Sequence, residues 1–338
     1  MELDEIRQRL QAFAKAHLGD ELAEVVHVEP GPGHAGFSYL FDVSSGGVIS
    51  RYFLRLPPPG VKLEGTADVL RQACSIRSLE GSAVPHARII WSGDDPQWFG
   101  VPYIVQPRME GDVLRGDWLT SFSQPQRVEM ARQAMTALAG IHRVDWRARC
   151  QYLGAPMEFE PDVVRWDRFY ERAAEQEQLA LQPRVRQLLL DNIPAGANIG
   201  LFHGDFQWAN LMFNAEAKLV AVIDWELTGI GATLNDVGWI CAFNEPRAWA
   251  HEGATSGGLM PVADELEAMY RDAWGADAGP DPGNIRWFKA LAVYKFGIIT
   301  GFNLMLHRRG KRDDPHWELM TPSMKSNMEY ALEMLTGG

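Results

Sequence analysis

The sequence predicts an α+β chain of two lobes, a small antiparallel sheet with one packed helix followed by a larger, mainly helical lobe. Short apolar runs broken by Gly, Pro and Ser fill the first part of the chain, and beyond Gln124 the apolar period lengthens to three or four residues. At 338 residues the chain also exceeds one typical domain and suits a two-lobed enzyme. The division expected is residues 1–106 for the first lobe, 107–111 for a hinge and 112–338 for the helical lobe.

Ile6, Leu10, Phe13 and Leu18 lie close to helical spacing, so residues 3–18 open the chain as an amphipathic helix. Strand patterns follow at 23–28, 37–43 and 51–56, an antiparallel meander whose first turn is Gly31-Pro32-Gly33-His34-Ala35-Gly36 and which Pro57-Pro58-Pro59-Gly60 closes. Val69, Ala73, Ile76 and Leu79 share one face of a helix across 66–79, ended by Gly81. Two further strands are expected at 88–91 and 103–106. In the second part, Val128, Ala131, Met135, Leu138 and His142 mark a long helix packed on one side, with His142 a core histidine. More helical patterns run through 162–190, 262–274, 284–307 and 320–335, interrupted by apolar segments at 199–202, 211–213 and 219–223. There is no internal repeat or low-complexity tract.

Composition narrows the function. Hydrophobic residues make up 46% and charged residues 22%, ordinary globular usage. A formal net charge of -12 disfavours nucleic-acid partners, because such binding rests on Lys and Arg neutralising phosphates. Cys74, Cys150 and Cys241 are widely spaced and form no C-x-x-C pair, so neither a disulfide framework nor a zinc site is expected. With no basic and apolar leader pattern and no run of 18 apolar residues, the expectation is a cytoplasmic protein that does not span a membrane.

The chemistry concentrates in His203-Gly204-Asp205-Phe206-Gln207-Trp208-Ala209-Asn210, a loop between two short apolar strands. Phosphoryl transfer needs a carboxylate to receive the acceptor hydroxyl's proton, and amide and carboxylate oxygens to hold Mg²⁺ against the triphosphate. Asp205 and Asn210 have the spacing for those two tasks. After Asn210, the strand Leu219-Val220-Ala221-Val222-Ile223 ends on Asp224, and a hairpin would bring Asp224 beside Asn210. A base flanked by one metal ligand from each arm is the protein-kinase arrangement. Read as capping or surface carboxylates, Asp205 and Asp224 would instead be structural.

His203-Gly204-Asp205-Phe206 with Asn210, then Ile223-Asp224-Trp225-Glu226, resemble the aminoglycoside phosphotransferase and choline kinase family. The closer likeness, carried by Leu54-Arg55-Leu56-Pro57-Pro58-Pro59-Gly60 with Ile223-Asp224-Trp225-Glu226-Leu227, is to the kinase-like domains related to those fused to some acyl-CoA dehydrogenases, over about residues 20–240. The resemblance implies a protein-kinase-like two-lobed fold, with Asp205 as catalytic base, Asn210 and Asp224 as magnesium ligands, His203 organising the loop and Asp236 bracing the lobe. It places the ATP phosphates under the glycine-rich turn at Gly33 and Gly36, which an ordinary hairpin loop would also explain. Arg55 stands where kinases keep a phosphate-seating Lys, and Gln72 where they keep its helix Glu, able to accept a hydrogen bond from Arg55 without pairing its charge. At the hinge, Pro107 supplies a carbonyl and Met109 an N–H to adenine.

The expected activity is therefore ATP- and Mg²⁺-dependent phosphorylation of a small-molecule hydroxyl, with a hydroxyacyl-CoA-like acceptor preferred over an aminoglycoside or amino alcohol. Ala35, Gly36 and Gln72 depart from the family pattern and leave open a second reading, a pseudokinase-like binding module. A metal-dependent hydrolase built on His203 and Asp205 lacks further ligands. For the acceptor, Glu158, Glu160 and Asp162 read as a solvated helix start, with a cationic amino-sugar site the alternative. The run His307-Arg308-Arg309-Gly310-Lys311-Arg312 reads as a helix C-terminus before a capping glycine, with a thioester's phosphates the alternative. The acceptor's identity and the oligomeric state stay open.

Overall fold

Helix α1 (Leu3–Leu18) lays Ile6, Leu10, Phe13 and Ala14 on a sheet built from the next hundred residues. Asp4 and Glu5 in its first turn and Lys15 and His17 in its last complement the helix dipole, and Gly19 ends it with φ 62°. The computed structural model describes residues 2–31, 37–114, 116–250, 258–275 and 282–337. Strands β1 (Glu24–Pro30), β2 (Phe37–Ser45), β3 (Val48–Leu56), β4 (Trp91–Gly93) and β5 (Tyr103–Pro107) pair antiparallel in the order β1-β2-β3-β5-β4. The two-residue period puts Tyr39, Phe41, Val43, Tyr52, Leu54 and Leu56 into one core with α1, where Phe13 meets Trp91, Trp98 and Tyr103 edge-on. Alternation turns Arg55 to the opposite face of β3.

Helix α2 (Val69–Ser78) starts on an Asp68 side chain that accepts the Leu70 N–H at 2.9 Å. Its Val69, Ala73 and Ile76 do not join the α1 core. They pack with Ile104 of β5 into a second, larger core that continues through the helical part, so α2 bridges the two.

After helix α3 (Pro96–Phe99) the helical part contains β6 (Asp112–Val113), α4 (Gly116–Thr120), α5 (Gln124–His142), α6 (Trp146–Arg149), α7 (Phe159–Val164), α8 (Asp167–Tyr170) and α9 (Gln182–Asp191). Strands β7 (Ile199–Phe202), β8 (Leu211–Phe213), β9 (Leu219–Val222) and β10 (Gly229–Ala232) follow. Helices α10 (Leu234–Phe243), α11 (Ala263–Trp274), α12 (Pro282–Arg308), α13 (His316–Met320) and α14 (Ser323–Thr336) complete it. Two small sheets, β6-β8-β9 and β7-β10, hold the segment between β7 and α10. By length and hydropathy Ile285–Arg308 of α12 passes the test for a membrane-crossing helix, but 67% of its apolar window is buried inside the protein.

Two expected elements differ. The helix read through 162–190 is broken: Glu175 adopts φ 53°, the Ala174 N–H leaves the helix to bond the Gly301 carbonyl at 2.9 Å, and Pro183 restarts the chain as α9. Gly301 permits that approach, since a Cβ there would sit 2.9 Å from the Ala173 Cβ. The strand read at 88–91 begins at its end, because the Gln106 side chain, not a strand ladder, takes the Ala87 carbonyl at 2.6 Å.

Candidate active site

Strand β7 delivers His203, and β8 leaves from Asn210, so the loop 203–210 hangs between the two small sheets. The β8–β9 hairpin pairs Leu211 with Val222, and the Ile223 N–H bonds the Asn210 carbonyl at 3.0 Å. That register sets Asp224 beside Asn210. Asp224 itself is left-handed, φ 61°, an uncommon conformation for a residue with a Cβ and one that concentrates at functional sites.

The Asp205 carboxylate is surrounded by donors. Asn210 Nδ2 reaches Oδ2 at 2.9 Å, Gln207 Nε2 reaches both oxygens at 3.0 Å, and the Trp239 indole Nε1 reaches Oδ1 at 2.7 Å. With its nitrogen so engaged, Asn210 keeps its side-chain oxygen for another partner. His203 is fully buried; its Nε2 bonds the Ile223 carbonyl at 2.8 Å and its Nδ1 accepts the Asp205 N–H at 3.3 Å, tying the loop to the Asp224 arm. Gly204 is required where it stands: φ is +91° and a Cβ would run into the Leu227 carbonyl.

Beneath the loop, Asp236 at the start of α10 accepts the main-chain N–H groups of His203 at 2.6 Å and Gly204 at 2.7 Å. His142 bonds the same carboxylate at 3.2 Å and holds the Tyr270 hydroxyl at 2.7 Å. Burial, and then the charge of Asp236, push the Tyr270 hydroxyl far above its ordinary pKa.

The sheet side is arranged otherwise. Arg55 extends its fork to two carboxylates, Asp224 at 3.1 Å and Glu226 at 2.8 Å. It does not take Gln72 as the sequence suggested: a guanidinium bonds anionic oxygens more strongly than a neutral amide. Gln72 is buried, and its amide nitrogen has no hydrogen-bond partner among the described residues. Glu226 is raised above the usual glutamate range by burial first and the Asp224 charge second, with Arg55 opposing.

At the junction of sheet and helices, Pro107 ends β5 opposite Tyr52, and the Arg108 N–H closes the ladder on the Arg51 carbonyl at 2.9 Å. The Met109 N–H makes no hydrogen bond among the described residues. It borders a cavity of about 600 Å³ lined by His27, Asp42, Arg51 and Arg108–Gly111. Gly33 and Gly36 lie outside the described residues; before them, the Gly31 N–H bonds the Ser38 carbonyl at 2.8 Å.

Each charged segment considered for the acceptor is engaged in part. Glu158 and Glu160 are exposed, but Asp162 is not the solvated acid expected: it is buried against Lys295 at 2.7 Å, with Arg165 at 2.8 Å. Burial lowers the Lys295 pKa and Asp162 opposes the shift. In the basic run Arg308 pairs with Glu175 and Glu318, Arg312 bonds Asn303, and Gly310 turns at φ 64° after α12. The cysteines, distant in sequence, also meet in part: Cys74, whose thiol bonds the Arg149 carbonyl at 3.7 Å, has its pKa lowered to about 7 by the neighbouring Cys150.

A phosphotransferase enzyme family matches residues 27–288, from the first strand through the 203–210 loop into α12. This chain belongs to the phosphotransferase enzyme family. The match runs further toward the C-terminus than the resemblance over about 20–240. Among relatives, the probable acyl-CoA dehydrogenase IBR3 of Arabidopsis thaliana is 31% identical over 289 residues, 80% of this chain and 35% of that protein. Acyl-CoA dehydrogenase family member 11 of Mus musculus is 25% identical over 89% of this chain and 39% of that protein. This phosphotransferase chain thus spans little more than a third of the length of these relatives. A Ralstonia eutropha structure described as an aminoglycoside phosphotransferase superposes with a TM-score of 0.79 at 21% identity, covering 96% of this chain and 98% of that one. A Plasmodium vivax ethanolamine kinase gives 0.60 at 14% identity, with 98% and 89% covered. Aminoglycoside phosphotransferase APH(4)-Ia, solved with AMP-PNP and hygromycin B, gives 0.61 at 15%, with 97% and 99% covered. The fold is that of this kinase-like group, and ATP with Mg²⁺ is the family's usual phosphate donor.

The residues present fit such a cation. Asn210 and Asp224 offer hard oxygen donors from two arms of one hairpin, and Mg²⁺ takes few protein ligands because it keeps water and phosphate oxygens.

Proposed function

We propose that this phosphotransferase moves the γ-phosphoryl group of ATP to a hydroxyl of a small molecule. The observation that carries the reading is the convergence of Asp205, Asn210 and Asp224 at one hairpin, with Asp205 oriented by side-chain donors. The attacking oxygen bonds phosphorus as the bond to the ADP oxygen breaks, and the hydroxyl proton passes to Asp205. Asn210 and Asp224 hold Mg²⁺, which when bound neutralises charge on the phosphates. His203 and Asp236 keep the loop in shape. Arg55 seats phosphate, exchanging one of its two carboxylates for a phosphate oxygen. Adenine lies at the cavity beside Met109, using the Met109 N–H and the Pro107 carbonyl, and Gly33 and Gly36 cover the phosphates. In this reading residues 1–106 are the nucleotide-binding lobe, 107–111 the hinge and 112–338 the acceptor-binding lobe.

The acyl-CoA dehydrogenase relatives favour a hydroxyacyl-CoA or similar metabolite as acceptor. An amino-sugar is less favoured, because Asp162 is already neutralised by Lys295. One observation favours the binding-module alternative: Arg55 is held by two acids, while the Gln72 amide nitrogen has no partner among the described residues. Two assays separate the readings. Millimolar Mg·ATP should raise the melting temperature through binding to the folded state, and phosphate transfer should appear with at least one of a hydroxyacyl-CoA, an amino alcohol, an aminoglycoside and a macrolide. Stabilisation together with transfer supports the kinase reading; no transfer to any acceptor contradicts it and favours the binding module, the more so without stabilisation by Mg·ATP.

A further inference from the structure

We infer that Trp239 is a positioning residue for Asp205, an inference that rests on reading Asp205 as the base. Of the three side chains bonded to that carboxylate, Gln207 and Asn210 belong to the same loop and move with it. Among the described residues Trp239 alone reaches it from another element, α10, with Nε1 at 2.7 Å from Oδ1. The indole is a suitable clamp. It has two side-chain torsions, it donates and never accepts, and its ring is wedged edge-on against Phe243 at 5.3 Å and tilted against Phe296 at 6.2 Å between centroids.

Helix α10 is itself fixed. Gly238 lies so close to α12 that a Cβ would stand 2.6 Å from the Phe288 carbonyl carbon. One turn before Trp239, Asp236 holds the His203 and Gly204 N–H groups. Residues three apart share a helix face, so one face of α10 fixes the main chain of the loop with Asp236 and its reactive carboxylate with Trp239.

The carboxylate offers about four acceptor positions, and the four contacts fill them. An incoming hydroxyl must displace a donor. Gln207, half-buried and shared between both oxygens, is the one to leave, and Trp239 keeps Oδ1 fixed while the hydroxyl bonds the vacated position.

Trp239→Phe keeps the ring and removes the N–H. Phosphate release from Mg·ATP with water as acceptor, and transfer to the acceptor panel, should show kcat about tenfold lower with KM for Mg·ATP changed less than about twofold. Independently of turnover, in protein labelled with ¹⁵N at tryptophan the Nε1–H resonance lost in Trp239→Phe should move upfield and exchange faster in Asp205→Ala. An unmoved resonance, or a wild-type kcat in Trp239→Phe while Asp205→Ala is inactive, overturns the positioning role alone. A wild type without any turnover, or Asp205→Ala turning over like the wild type, overturns the base reading and the positioning role together.

Discussion

Around the 203–210 loop, both oxygens of Asp205 and of Asp236 are bonded and His203 is engaged at both ring nitrogens, whereas on the sheet side Arg55 is held by two acids, Asp224 and Glu226, and the Gln72 amide nitrogen is buried without a partner among the described residues. The first region is preorganised: its hydrogen bonds are in place before any ligand arrives and need not be made during reaction. The second is in a waiting arrangement, with opposite charges neutralising one another until a nucleotide competes. The contrast places the cost of binding on the sheet side and leaves the loop side nearly unchanged.

Three substitutions can break or sharpen that contrast. Asp236→Ala should have the largest effect, leaving two buried main-chain N–H groups and His142 without their acceptor. Stability should fall by about 3 kcal/mol or more in denaturant unfolding, with loss of activity; a change below about 1 kcal/mol would show that the loop does not depend on α10. Arg55→Lys keeps the charge but cannot fork to two oxygens, so KM for Mg·ATP should rise about tenfold with a smaller change in kcat. A KM unchanged in that variant would reduce Arg55 to a tie between sheet and hairpin. Gln72→Leu should matter least. Removing an unpartnered buried amide should be neutral or stabilising by up to about 1 kcal/mol, with KM for Mg·ATP unchanged within about twofold. A large KM rise there would restore Gln72 to phosphate seating and make the two regions alike.

How much of this was legible in the sequence follows the range of the interactions. The opening helix, the meander and the approach of Asp224 to Asn210 are set by local periodicity and by one short hairpin, and the residues themselves announce them. The Arg55 partnership was misread because its acceptor Glu226 lies 171 residues away, and a family register points to Gln72 without weighing an amide against two carboxylates. Asp162 illustrates the same limit: an acid at a helix start looks solvated until Lys295, 133 residues on, is folded against it. Trp239 was missed because α10 is apolar on nearly every face, so no stripe singles out the indole that meets Asp205. Its only signal was its place one turn after Asp236.

The central claim, that Asp205 receives the acceptor's proton at a site otherwise ready for Mg·ATP, is tested most directly by Asp205→Asn. The account predicts phosphate transfer reduced about a hundredfold or more, with the Mg·ATP-induced rise in melting temperature retained. Transfer within about twofold of wild type would contradict it.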